Sequence, residues 1–236
     1  MTTPFHIGFL PYPNMTQLDM TGPVQVLGRM PGAKLHFVGK TMAPIFDDLG
    51  LGFSPTTTLE DCPPLDMICM PGGFGCADVM EDAEILDWLQ GQAETATYLT
   101  SVCTGSLILA AAGLLDGKRA ACHWAWRDQL TLFGAIPVAE RVVEDGNIIT
   151  GGGVTAGIDF GFRILERLHG RHFAEMVQLG LEYDPAPLGG GTPETAHPDI
   201  LDATRKVMEL PDQAARLERI RNIAAKREAS HAATSP

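Results

Sequence analysis

The 236-residue sequence predicts an α/β fold in which a mainly parallel sheet is covered by helices on both faces. Three observations carry this expectation. Short β-rich apolar runs alternate with longer helical patterns along most of the chain, glycine-rich turns follow several of the strands, and one cysteine stands at a strand-to-helix junction within "YLTSVCTGSLILAAAGLL", Tyr98 to Leu115. In such sheets functional sites form beyond the carboxyl ends of the strands.

Phe5 to Leu10 reads as the first strand, Pro23 to Met30 as a helix opened by Pro23 in its first turn, and Lys34 to Val38 as the second strand. Pro44 to Thr58 reads as a hairpin or extended loop around "DDLGLG", and "PLDMICMPGG" as a short apolar strand stopped by its glycines. Glu81 to Thr97 has the acidic first turn of a helix and buries Ile85, Leu86, Trp88 and Leu89. Tyr98 to Val102 is a strand, Thr104 to Ala112 a helix ended by Gly113, and "RAACHW" a short strand before a helix through Trp126 and Leu130.

"RVVEDGNIIT" predicts a hairpin about Asp145-Gly146, leading into "GGGVTAG" and a helix from Thr155 to Leu168. Pro, Gly and Thr from Pro185 to Pro198 predict a loop, Asp199 to Lys226 a terminal helical region, and "REASHAATSP" a frayed end. The expected organisation is an α/β domain over residues 1–184, with a loop and helical extension over 185–236 packed on it and no internal repeat.

A net charge of −12 opposes general binding to phosphate backbones, so no nucleic-acid partner is expected. No apolar run is long enough for a membrane span, and the N-terminus lacks the basic segment of a signal peptide. The expected location is the cytoplasm. Cys62, Cys69, Cys76, Cys103 and Cys122 are odd in number and contain no C-x-x-C pair, which predicts reduced thiols and no structural zinc site.

Ser101-Val102-Cys103-Thr104-Gly105 follows the logic of a nucleophile elbow: a sharp turn whose crowded backbone requires small residues two positions either side of the nucleophile. A helix N-terminus beside the sulfur would favour thiolate, whereas a lone cysteine is more often a small buried hydrophobe. Cys69 fits a core strand, and Cys62, Cys76 and Cys122 have no reactive context. Gly72 and Gly73 would let backbone N–H groups approach a ligand, or simply form a tight turn. Gly151 to Gly153 with Ala156 imitates a dinucleotide fingerprint but lies too late in the chain, and "GLLDGK" falls one residue short of a phosphate loop.

These residues, together with "QLDMTGP", "CMPGGFG", "SVCTGSLILAAAGLLDGKRAACHW" and "TGGGVTAGIDF", resemble the ThiJ/PfpI superfamily of class I glutamine amidotransferase-like proteins over about Phe5 to Tyr183. The resemblance implies a flavodoxin-like sandwich, a homodimer and, in its hydratase-like group, addition of water to an isocyanide to give an N-substituted formamide. Regulator domains of the AraC family share similar segments, but they continue into a DNA-binding domain of roughly a hundred residues built from helix-turn-helix units. Proteases of the superfamily typically carry histidine after the nucleophile, where this chain has Thr104.

The position matching the family acid is Asp19, which by residue pattern alone would be a helix-start or turn residue. The resemblance implies Cys103 as nucleophile and Asp19 as its proton partner, the two titrating as a unit because bare thiolate and carboxylate cannot easily coexist. Thr104 would donate within the site or start the helix. Gly72 and Gly73 would position substrate or water, and Gly152, Gly153 and Val154 would form the opposite wall or serve packing. His123 is a candidate base or a histidine satisfied at a strand end, and Tyr183 a candidate for a pocket or subunit contact. His169 and His172 lack the further ligand that a metal site needs. Neither metal nor organic cofactor is expected; the expected partner is a small isocyanide. A non-catalytic cysteine sensor and a carbonyl-repair hydrolase are the alternative readings.

Overall fold

The computed structural model describes residues 4–208 and 213–234. In chain order the strands are β1 (Phe5–Phe9), β2 (Ala33–Gly39), β3 (Ile45–Phe46), β4 (Gly52–Phe53), β5 (Thr57–Thr58), β6 (Met67–Met70), β7 (Tyr98–Val102), β8 (Arg119–Ala120), β9 (Ile136–Pro137), β10 (Val142–Asp145) and β11 (Ile148–Gly151). The helices are α1 (Gln17–Leu27), α2 (Cys76–Met80), α3 (Ala83–Ala93), α4 (Gly105–Ala111), α5 (Ala156–His169), α6 (Arg171–Gly180), α7 (Pro198–Met208) and α8 (Gln213–Thr234), with a 3-10 turn at Arg127–Phe133.

Seven strands form one sheet in the order β10-β11-β7-β6-β1-β2-β5, parallel except for the antiparallel β10–β11 edge. The all-apolar run Met67–Met70 is buried along its whole length at the centre, as a strand covered on both faces must be. From β1 the chain moves outward to β2 and β5, then returns to the other side of β1 at β6. This reversal opens a crevice beyond the carboxyl ends of β1 and β6, where open α/β sheets bind ligands. The registers pair Phe9 with Cys69, Met70 with Ser101, and Val102 with Gly151, so the loops after β6, β7 and β11 emerge side by side.

The sequence expectations hold for the sheet and miss at several ends. The first helix starts at Gln17, not Pro23, and carries Pro23 in its interior. Pro23 lacks only the N–H that would bond the Asp19 carbonyl, and its ring is used for packing against Gly157. The helix expected from Glu81 starts at Ala83, where the Asp82 side chain accepts the Ile85 N–H at 3.4 Å and caps it, and a separate short helix, α2, ends just before Glu81. The helix through Trp126 is a 3-10 turn. The expected hairpin is present, but its two-residue loop is Gly146-Asn147, because Asp145 pairs with Ile148. Pro44 to Thr58 resolves into the β3–β4 hairpin plus β5.

The C-terminal end departs further from expectation. α6 follows α5 across Gly170, whose φ of 82° turns the chain sharply. α8 continues to Thr234, where fraying had been expected from Arg227. Its Ile220, Ile223 and Ala224 are buried in the core, against α2, α4 and the 3-10 turn. Arg219 bridges Asp78 at 2.7 Å and Glu81 at 2.6 Å, and Arg227 donates to the Phe133 carbonyl at 3.2 Å while pairing with Asp116.

α1 is fixed in the crevice by close packing on α5. The approach depends on missing side chains: a Cβ at Gly161 would lie 2.9 Å from the Val26 Cβ, and one at Gly157 3.0 Å from Pro23 Cδ. Gly161→Val therefore overpacks this contact. It is expected to cost about 1–3 kcal/mol and to lower the melting temperature by roughly 3–10 °C, as calorimetry would read.

Candidate active site

Cys103 lies between β7 and α4 with φ 60°, an uncommon conformation for a residue with a side chain. Neighbouring strands hold it there. The Cys103 N–H is shared between the Gly151 carbonyl at 3.1 Å and the Gly152 carbonyl at 2.8 Å. The small flanking residues have distinct duties: a Cβ at Gly105 would sit 2.1 Å from the Met70 carbonyl, while Ser101 and Ser106 join their hydroxyls at 2.8 Å inside the turn. The Ser106 hydroxyl donates to the Ala121 carbonyl at 2.6 Å, locking α4 to the segment after β8.

Asp19 stands in the first turn of α1 and is fully buried. Its Oδ2 accepts the Gly72 N–H at 2.9 Å. Its Oδ1 has no hydrogen-bond partner among the described residues, although the carboxyl also feels the Cys103 thiol beside it. Burial raises the Asp19 pKa to about 7, against a lowering pull from the Gly72 N–H and the thiol, and Asp48 pushes it up further. The Cys103 thiol is pushed well above its ordinary value by burial first and by the Asp19 charge second, with the Thr104 N–H pulling the other way. Burial and the neighbouring carboxyl thus oppose the expected preference for thiolate, and α4 has only seven residues whose end could favour it. Both groups are pushed towards their protonated forms, and the pair titrates as a unit.

Gly72 and Gly73 act differently from the sequence expectation. Their N–H groups are already used, one on Asp19 and the other on Thr104 Oγ1 at 2.9 Å, so they position side chains and are not free for a ligand. Thr104 Oγ1 in turn donates to the Gly73 carbonyl at 3.3 Å. A Cβ on Gly72 would lie 2.5 Å from the Thr104 nitrogen, 2.7 Å from Oγ1 and 2.9 Å from Asp19 Oδ2, which explains why glycine is needed there.

Cys103 and Thr104 open onto a cavity of about 290 Å³ whose apolar lining is Phe74, Trp126, Val154 and Met208. Thr16, Asp48, His123 and Arg216 supply its polar groups, and Gly73 lines it too, whereas Gly72 does not. His123 makes no bond to Cys103: Nδ1 accepts the Ala125 N–H at 3.3 Å, and burial lowers its pKa, so it is a neutral wall residue. Gly152 and Gly153 line an adjacent cavity instead, Gly152 supporting Cys103 through its carbonyl. Tyr183 also lies outside the Cys103 cavity, its hydroxyl donating to Asp159 at 3.1 Å. Cys69 and Cys122 are buried with raised pKa values, near 12 for Cys69, and all five cysteines are unpaired. Among the described residues no group of three or more His, Cys, Asp or Glu could hold a metal.

The sequence reading missed Thr16, Asp48, Phe74, Trp126, Met208 and Arg216. Phe74 follows the glycine pair directly and Thr16 precedes the Asp19 segment, so proximity to the motifs was an available signal. Arg216 had none, because only the folding of α8 back onto the domain carries it to the cavity.

An α/β sheet with a buried carboxyl beside a cysteine at a strained strand-to-helix turn is the arrangement expected of a protein of the ThiJ/PfpI type. The chain belongs to the DJ-1/PfpI family, which matches over residues 6–167. It is 54% identical over 201 residues, 85% of this chain and 88% of the relative, to isonitrile hydratase of Pseudomonas putida. A ThiJ/PfpI family protein from Pseudomonas syringae superposes with a TM-score of 0.88 at 41% identity, covering 94% of this chain and 91% of that one. The transcriptional regulator GbdR of Pseudomonas aeruginosa is 29% identical over 77% of this chain but only 51% of its own length.

Two tests follow from the geometry. Gly72→Ala must displace both Asp19 and Thr104, and is expected to reduce any Cys103-dependent turnover by about a hundredfold or more, as misplaced reacting groups do. Asp19 binds its proton more tightly in the folded chain, with a pKa near 7 against an ordinary 3.8, so its contribution to stability is lost as pH rises through 7. Asp19→Asn is therefore expected to gain stability over wild type between pH 4 and 8, by a few kcal/mol in denaturant titrations; a gap independent of pH would contradict the assignment.

Proposed function

We propose that this protein is an isocyanide hydratase, adding water to R–NC to give R–NH–CHO, with Cys103 and Asp19 as the reacting pair. The observation that carries the reading is the Asp19 carboxyl buried against the Cys103 thiol and poised near neutrality. The likeness to an isonitrile hydratase supports it, isonitrile being another word for isocyanide.

The pair reacts in the form holding a single proton. Asp19 takes the thiol proton as sulfur attacks the terminal carbon, then delivers it to that carbon, leaving the covalent thioimidate R–N=CH–S–Cys103. Asp19, ionised again, removes a proton from a water that attacks the same carbon. Asp19 passes that proton to the nitrogen, takes up the hydroxyl proton as the carbonyl forms and the C–S bond breaks, and returns it to the sulfur. Net consumption is one isocyanide and one water, with no redox change.

Thr104 holds the backbone beside the sulfur and Gly72 fixes the carboxyl, so neither reactant must reorganise at the moment of attack. Val154 and Trp126 keep the cavity apolar around the substituent R. The protein acts in the cytoplasm as a homodimer, a reading supported by its five unpaired cysteines and by the exposed Phe46, Leu49 and Leu51 of the β3–β4 hairpin region.

Formamide production from an aryl isocyanide is expected with wild type and is expected to fall below detection in Cys103→Ala and Asp19→Asn, both still folded by circular dichroism. Absence of turnover by wild type across several isocyanides would overturn the reading. Because Asp19 must be ionised to accept the thiol proton, kcat/KM should rise with pH and level off above about 7; a profile falling through that range would contradict the single-proton form.

A further inference from the structure

We propose that the Cys103 cavity is built for an isocyanide whose substituent carries a carboxylate, and that Arg216 is the residue that receives it. The inference rests on the hydratase reading and specifies its substrate class.

Arg216 is held in place at the cavity without being neutralised. Its Nη2 donates to the Gly73 carbonyl at 3.2 Å and to Cys76 Sγ at 3.0 Å, and its guanidinium lies 4.3 Å above the Trp126 ring and 5.8 Å from that of Phe74. The neighbouring cations of α8 are treated differently: Arg219 is paired with Asp78 and Glu81, and Arg227 with Asp116. Arg216 has no carboxylate within ion-pair distance among the described residues. Its Nε is buried without a partner among them. A cation fixed by stacking and backbone, with an unused donor at a cavity, is a receptor for an anion.

The cavity is also polarised along the direction a substrate would lie. Asp48, the other charged group in its lining, is bonded to the Thr16 hydroxyl at 3.3 Å and is close enough to raise the Asp19 pKa. Asp48 and Asp19 thus place negative charge beside the reacting pair, and Arg216 places its positive charge against the rings of Phe74 and Trp126. An isocyanide with an anionic far end would enter carbon first towards Cys103, with its carboxylate at Arg216 and its apolar body along the aromatic rings. The opposite orientation would set the carboxylate against Asp19 and Asp48.

The test compares 4-isocyanobenzoate with its neutral methyl ester, measuring kcat and KM for formamide production by wild type, Arg216→Met and Arg216→Lys. Wild type should favour the acid roughly ten- to hundredfold in kcat/KM, the range of a charge-assisted contact, mainly through KM. Arg216→Met should abolish the preference, and Arg216→Lys should restore part of it. Turnover of the ester reports separately on the integrity of the Cys103 turn, which Arg216 also touches through Gly73. Calorimetric binding of both compounds to Cys103→Ala, which cannot turn over, supplies a readout independent of hydration.

Hydration of the ester without preference for the acid, or a preference that survives Arg216→Met, overturns the carboxylate inference and leaves the hydratase reading standing. Failure to hydrate either compound, with Arg216-dependent binding of the acid retained in Cys103→Ala, overturns the hydratase reading and upholds the anion subsite.

Discussion

A carboxyl group with no exposure to water, held by one backbone N–H and set against a thiol, is the constraint on which this molecule depends. Burial alone would make Asp19 a neutral acid throughout the physiological range. The Gly72 N–H and the Cys103 thiol pull its pKa back to about 7, where gaining and losing a proton cost nearly the same. Almost every unusual feature nearby serves that balance. Gly72 must lack a side chain so that its N–H can reach the carboxylate, α1 must pack closely on α5 so that Asp19 stays in the crevice, and Cys103 must accept a strained φ so that its sulfur faces the carboxyl rather than the core.

The strain is held by structure that has no part in the chemistry. Two carbonyls after β11 share the Cys103 N–H, and the Ser101–Ser106–Ala121 chain of hydrogen bonds ties α4 down. The buried strands β6 and β7 make the site a property of the sheet rather than of mobile loops. The terminal helix is the exception in sequence but not in packing: Ile220 and Ile223 bury it on the domain, and from that anchor Arg216 reaches the cavity.

Much of this was legible in the sequence because it is written in local patterns. Alternating apolar runs gave the parallel sheet, and the small residues around Cys103 gave the strained turn. The resemblance to a known family drew attention to Asp19. What was not legible depends on long-range closure. Pro23 reads locally as a helix start, yet its ring is spent on Gly157 of a distant helix. Gly72 and Gly73 read as open backbone for a ligand, yet folding occupies both N–H groups with Asp19 and Thr104. Tyr183 reads as a residue of a pocket or subunit contact, and it does line a pocket, but one beside Asp159 and apart from Cys103. The environment of Cys103 was only half visible for the same reason, since a helix start can be read in sequence and burial beside a carboxylate cannot.

The central claim is that, at rest near neutral pH, the proton of the pair lies on sulfur while the carboxyl exchanges with solvent. Difference infrared spectroscopy of wild type against Cys103→Ala and Asp19→Asn observes both groups directly. The account predicts that the protonated-carboxyl stretch assigned to Asp19 is lost as pH rises through about 7, while the S–H stretch of Cys103 persists well beyond it. An S–H stretch already missing at neutral pH, with the carboxyl still protonated, would mean a resting thiolate and would contradict it.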